Sequence, residues 1–175
     1  MAIQLDFSAD EINKTIGGRL YSPIQDVVGN NYTSAATLPL LPNTEVNFLC
    51  NGAIRNFKNL PSHITNMWDT VNNKTVLTEF QDTPEIVANV SFMIDPSASS
   101  EGIVTISAYV NEAVPLLIKS TNVHFKGITE KLTGLLTFYA GSETGFDIKN
   151  KGVIFTLESN VGAEVYDTSI EIIRD

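Results

Sequence analysis

The sequence predicts an all-β fold, an antiparallel two-sheet jelly-roll sandwich preceded by a short N-terminal helix and an extended arm. Two observations carry this. Between Glu85 and Tyr139 four segments follow one another with turn residues between them, and none has helical spacing. They recur at roughly 10-residue intervals, the rhythm of sandwiches and barrels rather than of alternating strands and helices.

Residues 1–43 read differently from the rest. Phe7-Ser8-Ala9-Asp10-Glu11-Ile12 is a capping box, with Ser8 as cap and Glu11 at the third helical position, and Phe7 and Ile12 placed as a hydrophobic staple. Ile12 and Ile16 lie one turn apart, and Gly17-Gly18 supplies a stop. A helix of about two turns is marginal alone, so a neighbouring surface must hold it. Arg19 to Pro42, with Tyr21, Gly29-Asn30-Asn31 and the prolines Pro23, Pro39 and Pro42, reads as an extended arm. It lies either as a strap on its own sandwich or across an adjacent subunit. The domain division expected is 1–43 for helix and arm and 44–175 for the sandwich, and removal of residues 1–43 is expected to leave a folded sandwich.

Glu45 to Cys50 alternates and reads as the first strand; Asn51-Gly52 is a tight-turn dipeptide, so Ala53–Phe57 is expected to return as a hairpin. Asn59–Asn66 reads as a loop. Met67-Trp68-Asp69 and Thr75–Thr78 are short apolar stretches around Asn72-Asn73-Lys74, and Gln81–Pro84 is a turn. In the central block Ala88, Val90, Phe92 and Ile94 share one face, as do Val104, Ile106, Ala108 and Val110, and then Leu132, Gly134, Leu136 and Phe138. Leu116–Phe125, between them, is apolar at its ends and polar in its middle. After Tyr139 the chain turns. Phe146 and Ile148 read as a short strand, Asn150-Lys151-Gly152 as a hairpin turn, and Val153, Phe155 and Leu157 as one strand face. In the last strand, Glu164–Arg174, the alternation sets Tyr166, Thr168, Ile170 and Ile172 against Val165, Asp167, Ser169 and Glu171. About eight to ten strands from Glu45 onward suit two packed sheets of four or five.

The chain has 175 residues, 43% of them hydrophobic, and a formal net charge of −9. The length suffices for one sizeable core. The acidity disfavours nucleic acid and anionic membrane as partners. A single cysteine, Cys50, permits no intrachain disulfide and points to synthesis in a reducing cytosol. No run approaches the roughly 20 apolar residues of a membrane helix, and the acidic opening with Asp6, Asp10 and Glu11 does not read as a signal peptide.

Chemistry-bearing patterns are sparse. His63 and His124 are the two histidines, without the paired spacing of a metal site, and read as surface imidazoles. No Gly-x-Ser-x-Gly elbow, phosphate-cradling loop or dinucleotide fingerprint occurs. Cys50 alternates with Phe48 and reads as a core residue. The carboxylates Asp82, Glu85, Asp95 and Glu101 flank turns and read as solvated. Four Asn-x-Ser/Thr sequons, beginning at Asn13, Asn31, Asn73 and Asn89, read as coincidence in an Asn- and Thr-rich chain. Neither a catalytic set nor a cofactor or metal is expected. Trp68, the single tryptophan, suits a plug at one end of the core or an interface.

Trp68-Asp69 with Asn72-Asn73-Lys74, then Val90-Ser91-Phe92 and Gly102–Ile106, resembles the entry into the TNF/C1q-like trimeric jelly roll. So does the ending: Leu135–Gly141, Asn150-Lys151-Gly152 with Val153–Leu157, and Tyr166-Asp167 leading to Ile170, Ile172 and Arg174. The Gly-Asp usual before a late strand is replaced by Ala140-Gly141-Ser142-Glu143. The opening Phe7–Asn13 resembles the start of many bacteriophage virion proteins, which use this sandwich in capsid decoration proteins, head fibres and tail-fibre tips. The resemblance implies a homotrimer on the capsid exterior, made in the host cytoplasm and bound to the major capsid protein. A receptor-binding tip that recognises a host surface receptor or glycan is the alternative. The absence of coiled-coil heptads before the sandwich favours the first. The residues expected at interfaces are Phe7, Ile12, Ile16, Tyr21, Trp68, Tyr109 and Tyr139.

Overall fold

The computed structural model describes residues 24–80, 84–98, 100–141 and 147–174. The predicted helix over Ser8–Ile16 and the interface candidates Phe7, Ile12, Ile16 and Tyr21 lie outside them, as do Phe146 and most of the turn before Glu85.

The strands are β1 (Ile24–Gly29), β2 (Leu38–Leu40), β3 (Val46–Phe48), β4 (Ile54–Lys58), β5 (Trp68–Asp69), β6 (Lys74–Thr75), β7 (Glu85–Pro96), β8 (Gly102–Val110), β9 (Leu116–Phe125), β10 (Glu130–Tyr139), β11 (Val153–Ser159) and β12 (Ala163–Arg174), with one helical turn, α1 (Ile148–Lys151). They form an antiparallel two-sheet sandwich. The larger sheet runs β10-β7-β12-β1-β4, with β2 also on β12; the smaller runs β3-β11-β8-β9; β5 and β6 pair only with each other.

The central block folds as its alternation dictates. Ala88, Val90, Phe92 and Ile94 of β7 and Leu132, Leu136 and Phe138 of β10 are buried against Val104, Ile106, Ala108 and Val110 of β8. Phe48 from the smaller sheet meets Phe92 from the larger with ring centroids 6.4 Å apart. Gly134 marks the pinch between the layers: a Cβ there would stand 2.2 Å from Ile106 Cδ1. A side chain at that position requires the Ile106 Cδ1 methyl to swing aside and Thr121 and Val123 to give by a few tenths of an ångström.

Four expectations are corrected. The boundary at residue 43 fails first, because Ile24–Gly29 is an inner strand of the larger sheet, paired with β12 on one side and β4 on the other. The segment escapes sequence reading because its inward positions are Ile24, Asp26 and Val28, and a carboxylate in the middle breaks the apolar pattern. Residues 24–43 are therefore part of their own sandwich, and removing residues 1–43 strips out an interior strand.

The Asn51-Gly52 hairpin is not formed. β3 pairs with β11 and β4 with β1, so the turn carries the chain from one sheet to the other. Asn51 Oδ1 accepts from the Ala53 N–H at 3.0 Å, and Gly52 takes φ +78°, the left-handed region that glycine enters freely.

β12 alternates as predicted only in its second half. A register shift between Tyr166 and Ser169, with Asp167 at φ +47°, inserts a bulge. Val165 is therefore buried with Thr168, Ile170 and Ile172, while Tyr166 stays half-exposed.

Residues 148–151 form the helical turn α1 rather than strand and hairpin. Asp147 caps it, its Oδ1 accepting from the Asn150 N–H, and Ile148 anchors it in the core.

Candidate functional site

The interior holds one ion pair among the described residues. Asp26, fully buried, accepts from Arg55 Nη2 at 2.7 Å and Nε at 3.2 Å, and from the Met67 N–H at 2.8 Å. Arg55 also donates to the Trp68 carbonyl at 2.9 Å. This bidentate network ties β1, β4 and the β5–β6 ladder together. Trp68 belongs to the same region. It is fully buried, its Nε1–H donates to the Cys50 carbonyl at 3.1 Å, and its ring lies 6.0 Å from that of Phe155. The interface role expected for Trp68 is corrected: it plugs one end of its own core. Cys50 is buried as well, and that burial pushes its thiol up to about 12, the opposite of an activated nucleophile. His63 and His124 are exposed. No group of three metal-ligating side chains is close enough to hold an ion among the described residues.

The two outer faces of the sandwich differ more than the interior suggests. Across the larger sheet, register aligns three central rows of outward side chains. They run Thr137–Val87–Ile173–Gln25, then Leu135–Asn89–Glu171–Val27, then Thr133–Ser91–Ser169–Gly29. Glu171 is the one charge in these four-strand rows, and Asn89 Nδ2 donates to its Oε2 at 2.8 Å; on the edge strand β4 the rows continue to Lys58, Asn56 and Ile54. Leu135 is 57% exposed, and Tyr139, 64% exposed, stands at the end of the same face opposite Glu85.

The smaller sheet's outer face is hydroxyl- and amide-rich and paired within itself. Tyr109 O–H donates to Glu45 Oε1 at 2.8 Å, Thr156 donates to the same oxygen, and Thr105 donates to Asn122 at 2.9 Å. Partial burial, reinforced by the Glu45 carboxylate, raises the Tyr109 pKa above its ordinary value.

No family model matches the chain, and no curated protein sequence matches it. Among solved structures it is similar to murine APRIL, at 9% identity and a TM-score of 0.45, over 87% of this chain and 98% of that one. It is also similar to Eiger TNF from S. frugiperda, at 6% identity and a TM-score of 0.43, over 87% of this chain and 93% of that one. Sacbrood virus of honeybee aligns over 100% of this chain and 84% of that one, at 8% identity and a TM-score of 0.30.

Of the expected interface residues, Tyr139 stands on the larger sheet's outer face, Tyr109 on the smaller sheet's, and Trp68 in the core, so the structure does not bring them together. Residues the sequence reading passed over, Val27, Val87, Leu135 and Ile173, line the charge-poor face instead. Their signal was available: a strand with one solvated face has no need of Val87 or Ile173 on its second side.

Proposed function

We propose that this chain is a non-enzymatic virion structural protein, a capsid decoration protein that works by contact. In this reading it forms a homotrimer through the outer face of the larger sheet and stabilises a phage head by binding the major capsid protein. Phe7, Ile12, Ile16 and Tyr21 belong to the contact with a neighbouring subunit. The observation that carries the reading is the charge-poor face. Five strands at about 4.8 Å and nine residues at about 3.3 Å give a surface of roughly 20 by 30 Å, about 600 Å². That is about three quarters of the roughly 800 Å² each partner contributes to a standard interface. Its central rows hold a single paired carboxylate, and its other charges, Glu85, Lys131 and Lys58, stand at the margin where they stay in water.

The test strips the protein from particles and heats them. The reading expects loss of head stability that is restored by adding the protein back. Unchanged stability with abolished adsorption to cells overturns it in favour of a receptor-binding module. That second reading has its own support in the β8–β9 tip, where Ala113 to Leu117 form a continuous exposed apolar run with Val114 75% exposed. Removing residues 1–23, which spares β1, is expected to give a folded protein with weakened particle binding; full binding by the truncated chain overturns the role given to Phe7, Ile12, Ile16 and Tyr21.

A further inference from the structure

At the end of the sandwich where β8 turns toward β9, a cleft of about 160 Å³ opens between β3, the β5–β6 turn and the start of β11. Asn47, Asn72, Asn73 and Asn111 converge on it, and Leu49 and Ile154, both half-buried, give it apolar wall. None of the described residues that line it carries a charge, in a chain whose net charge is −9.

Two of the amides are fixed in place. Asn73 Oδ1 accepts from the Cys50 N–H at 2.8 Å, and Asn72 Nδ2 donates to Asp69 Oδ2 at 2.6 Å. Asp69 also accepts from the backbone N–H groups of Val71 and Asn72, so the turn that presents both asparagines is held from within. The amides of Asn47 and Asn111 make no side-chain hydrogen bond among the described residues, and each offers both a donor and an acceptor to the cleft.

We infer that this cleft binds an uncharged, hydroxyl-rich ligand, a single sugar ring of a glycan. A carboxamide matches such a ligand because its N–H donates to one hydroxyl while its oxygen accepts from the next. The side chains of Leu49 and Ile154 suit the C–H face of the ring. A phosphate, a carboxylate or a cation finds no opposite charge here and would lose its hydration without compensation. By the liquid's share of about 30 Å³ per molecule, the cleft holds about five waters, which a sugar's hydroxyls replace with equivalent hydrogen bonds. The inference rests on the second, recognition reading above and gives it a ligand class.

The test titrates the full-length protein with galactose, glucose, mannose and N-acetylglucosamine by ligand-observed NMR, with inorganic phosphate and sialic acid as charged probes. At least one neutral sugar is expected to saturate in the range of about 1 mM. The double variant Asn47→Ala, Asn111→Ala is expected to weaken it about tenfold or more while the unfolding midpoint holds. The inference is overturned if no neutral sugar saturates, if the double variant binds like the parent, or if phosphate or sialic acid binds at least as well. Particles carrying the double variant separate the two ideas: sugar binding lost with cell adsorption intact keeps the site and removes the recognition reading.

Discussion

The two sheets place their polarity on opposite sides. The larger buries the Asp26–Arg55 pair and leaves the central rows of its outer face with one carboxylate, already bonded to Asn89. The smaller turns Phe48, Phe155 and Leu157 inward and carries its polar groups outside, where Tyr109, Thr156 and Glu45 satisfy one another. The difference separates a face suited to being covered from one suited to water. A paired polar network gains little from a partner and loses its hydration on contact, whereas half-buried valine and isoleucine lose nothing.

The largest effect is expected from the buried charge. Asp26→Ala leaves the Arg55 guanidinium and the Met67 N–H without their acceptor. Breaking a buried pair from one side costs about 3–5 kcal/mol. Denaturant unfolding measures it, and a loss below about 1 kcal/mol would mean that the larger sheet does not depend on its internal charge. Asp26→Leu with Arg55→Met is expected to recover much of that loss, because well-packed apolar side chains often replace a buried pair without penalty.

Next comes the contrast between faces. Leu135→Glu puts a second carboxylate into the proposed contact face, in the row of Glu171 and two strands from it, while Ser120→Glu puts the same charge on the smaller sheet's outer face. Each is expected to change unfolding by no more than about 0.5 kcal/mol, as surface substitutions do. Self-association measured by light scattering is expected to weaken about a hundredfold or more for Leu135→Glu, a change of about 2.7 kcal/mol, and to hold for Ser120→Glu. Equal behaviour of the two variants breaks the comparison.

How much of this was legible in the sequence depends on whether a feature is local. The inward faces of β7, β8 and β10 were readable because period two needs no knowledge of partners. β1 was not, since Asp26 is tolerable inside only once Arg55, 29 positions away, is folded against it. The bulge at Asp167 was hidden for a related reason. One extra residue exchanges the faces of β12, and its cause is tertiary: the Asp167 N–H donates to the Tyr32 carbonyl at 2.9 Å. Trp68 was legible as a core plug, and its alternative place among the interface residues falls only once its ring is seen buried and its Nε1–H is seen donating to the Cys50 carbonyl. For the amide cleft, Asn72-Asn73 was visible as a turn, but its meeting with Asn47 and Asn111 depends on how β3, β8 and β11 close.

The segment joining the sheets sharpens the comparison through pH. Burial raises Cys50 from 9.0 to about 12. The folded state then keeps its proton where the unfolded chain has released it, so this stabilisation is complete below pH 9 and falls as pH rises toward 12. The expected loss is about 1 kcal/mol between pH 9 and 10, steepening toward about 1.4 kcal/mol per pH unit above that. Tyr32 and Tyr109, also raised on folding, begin to add to this loss as pH approaches 10, where the unfolded chain releases their protons. The thiol's share is therefore read as the difference between the parent and Cys50→Ala across pH 9 to 10, and the variant is expected to show the shallower slope. An identical slope in the two assigns the alkaline loss to another group.

The smallest effect is expected where the smaller sheet's outer face is already satisfied. Tyr109→Phe removes one donor from Glu45 Oε1 while Thr156 stays bonded to it, so the carboxylate keeps a partner and the space vacated is open to water. A hydrogen bond in that setting contributes at the low end of the usual range, and a loss of about 0.5 kcal/mol at neutral pH is expected. The sign of its pH dependence follows from the raised phenol: the folded state holds the proton longer than the unfolded chain, so whatever Tyr109 contributes is present below pH 10 and lost above it. The variant is therefore expected to match the parent more closely as pH rises past 10. Self-association of Tyr109→Phe should equal that of the parent; a variant that falls apart into monomers would move the subunit contact to the smaller sheet and reverse the assignment of the two faces.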